Sequence, residues 1–306
     1  MFRNPRDLLQ SYDEGFVGSW CDPEDTDKLL GELPHPLFGV AASDLYSSGE
    51  GKIALLYKSI LSFDSTFGQH ERQTTGDCVS HSTRNAVDVT RCHEIIGGQS
   101  ESFEARGATE AIYGSRGHGG QGMSCSVAAR FVHQNGGILV RKDYGFVDLS
   151  RYNSRTGTNW GRSGVPDSVR KEAKKHQVKT ISLVKTVEEA RDAIANGYAL
   201  SVCSNYGYSS TRNEHGVAQR RGSWNHAMAW VAMDDSRENY DETLFLIQNS
   251  WGVFNGGPKA HGQPDGSFWI RERDAHGMLN QNGAWAFSDV KGFPPRKVDW
   301  TIDGVF

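Results

Sequence analysis

The feature that most constrains this chain is a cysteine placed at the start of a long helical pattern. Residues 79–96 contain neither Pro nor Gly, and the glycine pair at 97–98 follows them directly. An uninterrupted run that ends at glycines predicts a helix, with Cys78 at its start and Asp77 as its N-cap. The unpaired N–H groups and the dipole of a helix stabilise negative charge at its N-terminus. A thiol in this place is a candidate nucleophile, because the thiolate is the reactive form.

Two later motifs add a base and a carboxamide to this thiol. Residues 223–230 place His226 at the start of an apolar run, and residues 246–252 end another apolar run with Asn249. The separation from Cys78 to His226 is 226 − 78 = 148 residues. A Cys followed by a His about 130–150 residues later is the spacing typical of papain-type enzymes.

The ordered motifs resemble those of the papain-like cysteine proteases, as a divergent member of that family. The resemblance implies an α+β protein of two lobes, a helical lobe followed by an antiparallel β lobe with a cleft between them. Early helices and late strands along the chain favour the same class. In this family the nucleophile would be Cys78, facing the base His226 across the cleft, with Asn249 orienting the imidazole. Gln73 would donate its side-chain amide to the oxyanion, together with the backbone N–H of Cys78.

The resemblance also implies four substrate-binding residues, Gly119, Gly120, Asn225 and Trp251. The glycine pair would lie along the cleft and pair with the substrate backbone, whereas its simpler interpretation is a flexible surface loop. Trp251 would shield the His–Asn hydrogen bond from water. Taken alone, each catalytic candidate has a simpler structural role: a buried small hydrophobe, a histidine at a strand edge, a turn residue or a core tryptophan. Their joint order favours the catalytic interpretation.

The nucleophile region departs from the family pattern in three ways. Four residues separate Gln73 from Cys78, where the family usually has five. Asp77 replaces a small residue, and Val79 replaces an aromatic one. A neighbouring carboxylate tends to raise the pKa of a thiol, which opposes the effect of the helix start. These departures bear on activity more than on fold.

The chain has five cysteines, and their spacing argues against a metal site. They include no CxxC pair, so a zinc site is not expected. No cofactor is predicted. Secreted papain-like enzymes usually carry a disulfide between two positions that align here with Thr75 and Gly117. Because both cysteines of that bridge are missing, we expect no disulfide. The N-terminus also lacks the apolar stretch of a signal peptide. Together these features predict a non-secreted protein in a reducing compartment, cytoplasmic or associated with a virion.

Charge and hydropathy exclude two classes of partner. The formal charge is −4 and the isoelectric point is about 6.3, which gives no electrostatic basis for nucleic-acid binding. No apolar run approaches the ~18 residues of a membrane span, so no membrane partner is expected. The expected partner is a polypeptide substrate.

The chain divides into an N-terminal extension and a larger domain. Residues 1–62 form the predicted extension, an arm or propeptide-like segment that could dock an assembly partner. Residues 63–306 form the predicted papain-like domain, with a helical lobe at about 63–160 and a β lobe at about 161–306. A polar stretch at 151–163 would connect the lobes.

Local patterns predict the elements of both lobes. The helical lobe should contain further helices at 104–114 and 126–135 and a short strand at 138–140. In the β lobe, a helix starts at 165–167, and Thr186 with Glu189 forms a capping box for a helix that ends near Gly197. A β run at 199–203 and a long loop at 205–222 follow. The remaining predicted strands are 226–233, 243–248 and 267–272.

Three functions are compatible with these features. The first is a thiol endopeptidase that cuts peptide bonds through Cys78, His226 and Asn249. The second is a catalytically weak or inactive subunit that keeps the fold and docks through residues 1–62 and 205–222, for example as a virion component. The third is a cell-wall amidase with Cys–His chemistry, which is disfavoured because such enzymes usually lack the Asn-Ser-Trp-Gly motif.

Overall fold

The computed structural model describes residues 18–69, 71–98 and 102–296. An antiparallel sheet packs against one long helix, and shorter helices surround both. Within the described residues the α-helices are α1 (Pro23–Glu32), α2 (Phe38–Ala41), α3 (Tyr57–Leu61), α4 (Cys78–Ile96), α5 (Glu110–Gly114), α6 (Cys125–Arg130), α7 (Ser154–Ser163), α8 (Asp167–Ala173), α9 (Val187–Ala195) and α10 (Glu272–Leu279). A π-helical turn at Phe131–Asn135 continues α6, and short 3₁₀ turns lie at Ser43–Leu45 and Lys174–His176.

The strands form one seven-stranded sheet and one small strand pair. They are β1 (Ser19–Trp20), β2 (Ile53–Ala54), β3 (Met123–Ser124), β4 (Thr180–Leu183), β5 (Leu200–Arg212), β6 (Ala218–Asp234), β7 (Leu244–Gln248), β8 (Ser267–Arg271) and β9 (Ala284–Ser288). The large sheet has the order β4-β9-β5-β6-β7-β8, with β2 also paired to β6, and all of its pairs are antiparallel. The pair β1–β3 is parallel. The predicted α+β class is confirmed.

Helix α4 is the centre of the molecule. Every residue from 78 to 90 is buried, and the helix packs against β5 and β6. It begins at Cys78 and ends before Gly97, as the sequence predicts. Gly98 follows with φ +92°, a left-handed conformation that glycine adopts without a Cβ clash. Because the helix is buried from its first residue, Cys78 lies inside the fold.

The described part of the N-terminal extension packs onto the rest of the chain. Leucines and aromatic residues of α1, α2 and α3 lie in the same hydrophobic core as the sheet. Strand β2 pairs with the end of β6, and the backbone N–H of Leu183 donates to the carbonyl of Pro36 at 2.8 Å. The carboxylate of Asp192 accepts from the N–H of Ser47 at 2.8 Å. Residues 1–17 of the predicted extension lie outside the described residues.

The predicted loop at 205–222 is wrong, because this stretch forms a long β-hairpin. Strand β5 continues to Arg212, and β6 begins at Ala218. Residues such as 219–223 are polar and exposed, so this stretch contains no apolar run that would indicate a strand. The alternation is nevertheless present at one point, since Trp224 is buried between exposed neighbours. Register shifts after Ser204 bend this outer part of the hairpin.

Three further elements differ from their predictions. The predicted helix at 104–114 is shortened to α5, because Gly107 instead pairs with Val140 as an isolated bridge. That bridge is all that forms of the predicted strand at 138–140. The polar stretch at 151–163 contains helix α7, whose N-cap Asn153 accepts from two backbone N–H groups. Tertiary contacts override the weak local preferences of these short segments.

The expectation that no disulfide forms is also wrong. Cys125, the first residue of α6, is bonded to Cys203 on β5, with a Cα–Cα distance of 6.3 Å. This lies within the usual range for a disulfide. The two cysteines are 78 positions apart in sequence, so only the packing of α6 on β5 brings them together. The prediction of a reducing compartment therefore loses one of its two grounds, the expected absence of a disulfide.

Peptide mapping of the unreduced protein should find Cys125 linked to Cys203. Alkylation of the denatured chain without reductant should label three thiols, Cys21, Cys78 and Cys92. Labelling of Cys125 and Cys203 in the unreduced chain would contradict this pairing.

Candidate active site

The candidate nucleophile, Cys78, is the first residue of α4 and is completely buried. Asp77 occupies the N-cap position, but its side chain makes no capping hydrogen bond, which corrects the predicted role. Helix α4 packs against β6, the strand that carries His226 opposite Ser204 of β5. Two buried elements thus hold the thiol and the imidazole in the same core.

The imidazole of His226 is held by Asn249 in one defined tautomer. His226 Nε2 lies 2.8 Å from Asn249 Oδ1. The backbone N–H of Ser250 donates to the same Oδ1 at 2.7 Å, which identifies this atom as the amide oxygen. Because an oxygen acceptor must receive a hydrogen from Nε2, the neutral ring carries its proton there. Nδ1 is therefore the basic nitrogen.

An aromatic cluster encloses the His226–Asn249 pair. The indole of Trp251 stacks on the imidazole at a centroid distance of 4.4 Å and an angle of 30°. Trp224 packs against Trp251 at 4.8 Å and presents its edge to His226 at 6.3 Å. Both indoles are buried, so water is kept from the hydrogen bond and its strength is preserved.

Burial makes His226 a weaker base than an exposed histidine. Desolvation and the nearby His81 lower the pKa of His226 from 6.5 to about 4, although the hydrogen bond to Asn249 acts in the opposite direction. The imidazole is therefore neutral near pH 7 and able to accept a proton.

This pKa gives a specific pH dependence for any reaction that uses His226 as base. The basic form exists above the pKa, so activity should persist down to about pH 5 and decline as the pH falls through about 4. A profile of kcat/KM between pH 3 and pH 8 measures this directly. An acid limb near the ordinary value of 6.5 would contradict the buried, neutral imidazole.

Gln73 is connected to the Asn249 segment rather than to solvent. Its backbone N–H donates to the carbonyl of Ser250 at 2.9 Å, and Ser250 Oγ donates to Gln73 Oε1 at 2.5 Å. Gln73 Nε2 donates one hydrogen to the carbonyl of Thr75 at 2.8 Å. A carboxamide has two N–H hydrogens, so one remains for another acceptor. The structure thus brings Gln73 and Asn249 together through Ser250.

Two solved structures resemble this fold over most of its length. Xylellain, a cysteine protease from Xylella fastidiosa, is 19% identical, covers 73% of this chain and 83% of its own, and has a TM-score of 0.50. Procathepsin B S9 from Trypanosoma congolense is 11% identical, covers 90% of this chain and 87% of its own, and has a TM-score of 0.53. The chain has a papain-like fold. No protein-family model and no curated protein matches the sequence.

The predicted substrate-binding residues differ in their exposure. Gly119, Gly120 and Asn225 are exposed. The carbonyl of Gly120 accepts from Arg116 Nε at 3.0 Å, and a Cβ at Gly119 would lie 3.2 Å from Arg162 Nε. Trp251 is fully buried on His226, a position suited to shielding the imidazole.

A buried polar cluster lies beside the nucleophile of this papain-like fold. Asp77 Oδ2 accepts from the hydroxyl of Tyr152 at 2.7 Å and lies 3.5 Å from His81 Nε2. Arg84 approaches His81 Nδ1 at 3.4 Å, and a guanidinium can only donate. The His81 ring thus lies between the guanidinium of Arg84 and the carboxylate of Asp77. Burial, followed by the charge of Asp77, raises the pKa of Tyr152, so its hydroxyl keeps its proton.

Two side chains that no sequence motif indicated contact the nucleophile loop, which consists of residues 74–77. Tyr152 and Gln121 both bond to residues between Gln73 and Cys78. Tyr152 lies in the polar stretch assigned to the lobe connection, which carries no motif. Gln121 directly follows the Gly119-Gly120 pair, and that position was the only available signal.

The described residues contain neither a metal-binding cluster nor a membrane-spanning helix. Within the described parts of the chain, no three His, Cys, Asp or Glu side chains are grouped as a metal site requires. Among those same residues, no helix is long and apolar enough to cross a membrane.

Proposed function

We propose that this chain is a thiol endopeptidase that hydrolyses peptide bonds through Cys78, His226 and Asn249. The observation that carries the proposal is the bonding of Asn249 Oδ1 to both His226 Nε2 and the N–H of Ser250. This arrangement makes Nδ1 the base, on a strand that packs against the helix of Cys78. This arrangement supports the proposal more strongly than any single residue does, because it requires Asn249, Ser250 and His226 to adopt one mutual orientation.

In the first half of the reaction, His226 Nδ1 accepts the proton of Cys78 and the sulfur attacks the carbonyl carbon of the peptide. The carbonyl oxygen becomes an oxyanion, which the backbone N–H of Cys78 and the second hydrogen of Gln73 Nε2 would stabilise. The imidazolium then protonates the leaving amine, so the C–N bond breaks and a thioester remains.

In the second half, water replaces the amine. Neutral His226 accepts a proton from water, and the hydroxide attacks the thioester carbonyl. The C–S bond breaks, and the proton returns to sulfur. Asn249 keeps the imidazole in one orientation through both halves, and Trp251 keeps water from their hydrogen bond.

Mass spectrometry of an unfolded protein substrate tests the proposal. The full chain should generate peptides, and Cys78→Ser should generate none, because a hydroxyl in this position lacks the acidity of a thiol. Cys92→Ser is the matched control, since Cys92 is a buried thiol on the same helix outside the site. Absence of cleavage by the wild type, or equal cleavage by Cys78→Ser, would refute endopeptidase activity.

A second candidate, a non-enzymatic assembly subunit, is favoured by two observations. Cys78 and His226 are both 0% exposed, so a substrate reaches them only after surrounding groups move. A cavity of about 540 Å³ lies between the extension and α9, and Tyr46 beside it is 80% exposed. An assembly partner would dock here through the predicted arm, residues 1–62. The cleavage experiment separates the two functions.

A further inference from the structure

The nucleophile loop is tied on one side to the segment that follows the glycine pair. Gln121 Oε1 accepts from Thr75 Oγ1 at 2.7 Å and from the N–H of Gly76 at 2.6 Å. The N–H of Gly122 donates to the carbonyl of Gly76 at 3.0 Å. The approach is close, since a Cβ at Gly76 would lie 2.8 Å from Gln121 Oε1 and 2.9 Å from the nitrogen of Gly122.

The same loop is tied on its other side to the start of α7. The hydroxyl of Tyr152 accepts from the N–H of Thr74 at 3.2 Å and donates to Asp77 Oδ2 at 2.7 Å. The hydroxyls of Thr74 and Ser154 are 2.9 Å apart. Every residue between Gln73 and Cys78 therefore has at least one bond to Gln121 or Tyr152.

These bonds act on both oxyanion donors at once. Thr75 receives the Gln121 contact through its side chain, and its carbonyl accepts from Gln73 Nε2. Asp77 precedes Cys78 directly, so its orientation sets the direction of the Cys78 N–H. A loop one residue shorter than the family pattern must reach the same two donor positions with fewer rotatable bonds. External contacts are the means available to hold it there.

We propose that Gln121 and Tyr152 are positioning residues that clamp the shortened loop and align the oxyanion donors, an inference that rests on the proposed endopeptidase function. Gln121 joins the same two segments, around Thr75 and Gly117, that a disulfide joins in the family pattern. Tyr152 bonds to the first and last residues of the loop, Thr74 and Asp77. The clamp replaces one covalent bridge by hydrogen bonds from two directions.

Two reagents distinguish misaligned oxyanion donors from a general loss of active-site structure. A peptide aldehyde adds the thiol across its carbonyl, with sulfur bonding to carbon and the proton passing to oxygen, so its affinity depends on the oxyanion donors. Iodoacetamide alkylates the same sulfur without forming an oxyanion. The variants are Gln121→Met, which removes the acceptor, Gln121→Glu, which keeps it, and Tyr152→Phe, which removes only the hydroxyl. Gln219→Met, on the exposed hairpin, is the matched control.

Gln121→Met and Tyr152→Phe should each weaken aldehyde binding and lower kcat by roughly tenfold, less than the ~10²-fold that follows outright loss of a donor. KM and the iodoacetamide rate should stay within about twofold, and Gln121→Glu should bind the aldehyde more tightly than Gln121→Met does. Unchanged aldehyde affinity in both variants, or equal losses with both reagents, would overturn the clamp. A wild type that hydrolyses no peptide and binds no aldehyde would instead overturn the proposed function, and the clamp with it.

Discussion

His226→Ala should lower kcat for peptide hydrolysis on the order of 10⁶-fold, because a nucleophile and its base act as one unit. Without the imidazole nothing accepts the Cys78 proton, and nothing protonates the leaving amine. Single-turnover measurements on one peptide substrate give the size of the loss. The double variant with Cys78→Ser should be no slower than either single variant.

Asn249→Ala provides the graded comparison for this prediction. It removes the oxygen that holds His226 Nε2 but leaves the base in place, so its loss should be clearly smaller than that of His226→Ala. If His226→Ala retained activity within tenfold of the wild type, the assignment of His226 as general base would fail.

Arg141→Met should destabilise the fold by about 3–5 kcal/mol, because it removes one side of a buried ion-pair network. The guanidinium donates to Glu71 at 2.6 Å and to Glu110 at 2.7 Å, and Glu110 is almost completely buried. Burial opposes ionisation of Glu71, but the charges of Arg84 and Arg141 outweigh it and hold the pKa of Glu71 below its ordinary value. Removing Arg141 leaves Glu110 as a buried charge without a cation.

Urea unfolding of Arg141→Met beside Lys142→Met measures this effect against its neighbour in sequence. Lys142 pairs with Glu104 at 3.4 Å, and these side chains are 44% and 57% exposed. An exposed pair contributes at most about 1 kcal/mol, so Lys142→Met should be nearly neutral. Equal unfolding free energies for the two variants would show that the buried network does not stabilise the fold.

Elements with a continuous local pattern were predictable, and elements defined by distant partners were not. Helix α4 has an uninterrupted sequence and a glycine stop, and β7 has an apolar run, so both lie close to their predicted bounds. The hairpin of β5 and β6 is stabilised by pairing across the sheet, such as Tyr208 with Arg220. Its exposed polar residues give no apolar run. The helix predicted at 104–114 was shortened by a bridge that depends on Val140.

The same distinction holds for the candidate site. Cys78, His226 and Asn249 stand in motifs that indicate their chemistry, whereas Gln121 and Tyr152 act through geometry that no motif encodes. The disulfide between Cys125 and Cys203 was missed for the same reason, since the two residues meet only when α6 packs on β5. Absence of one familiar bridge did not exclude a bridge elsewhere.

Labelling with an epoxysuccinyl thiol-protease inhibitor, followed by peptide mapping, tests the central claim most directly. Such a reagent needs a nucleophilic sulfur next to a base, and the folded chain has three thiols to offer, Cys21, Cys78 and Cys92. The proposed site predicts one label per chain, on Cys78 alone, and no label in folded His226→Ala. A folded wild type in which Cys78 stays unlabelled, or in which the label falls on Cys21 or Cys92, would contradict the assignment of this site as a thiol endopeptidase.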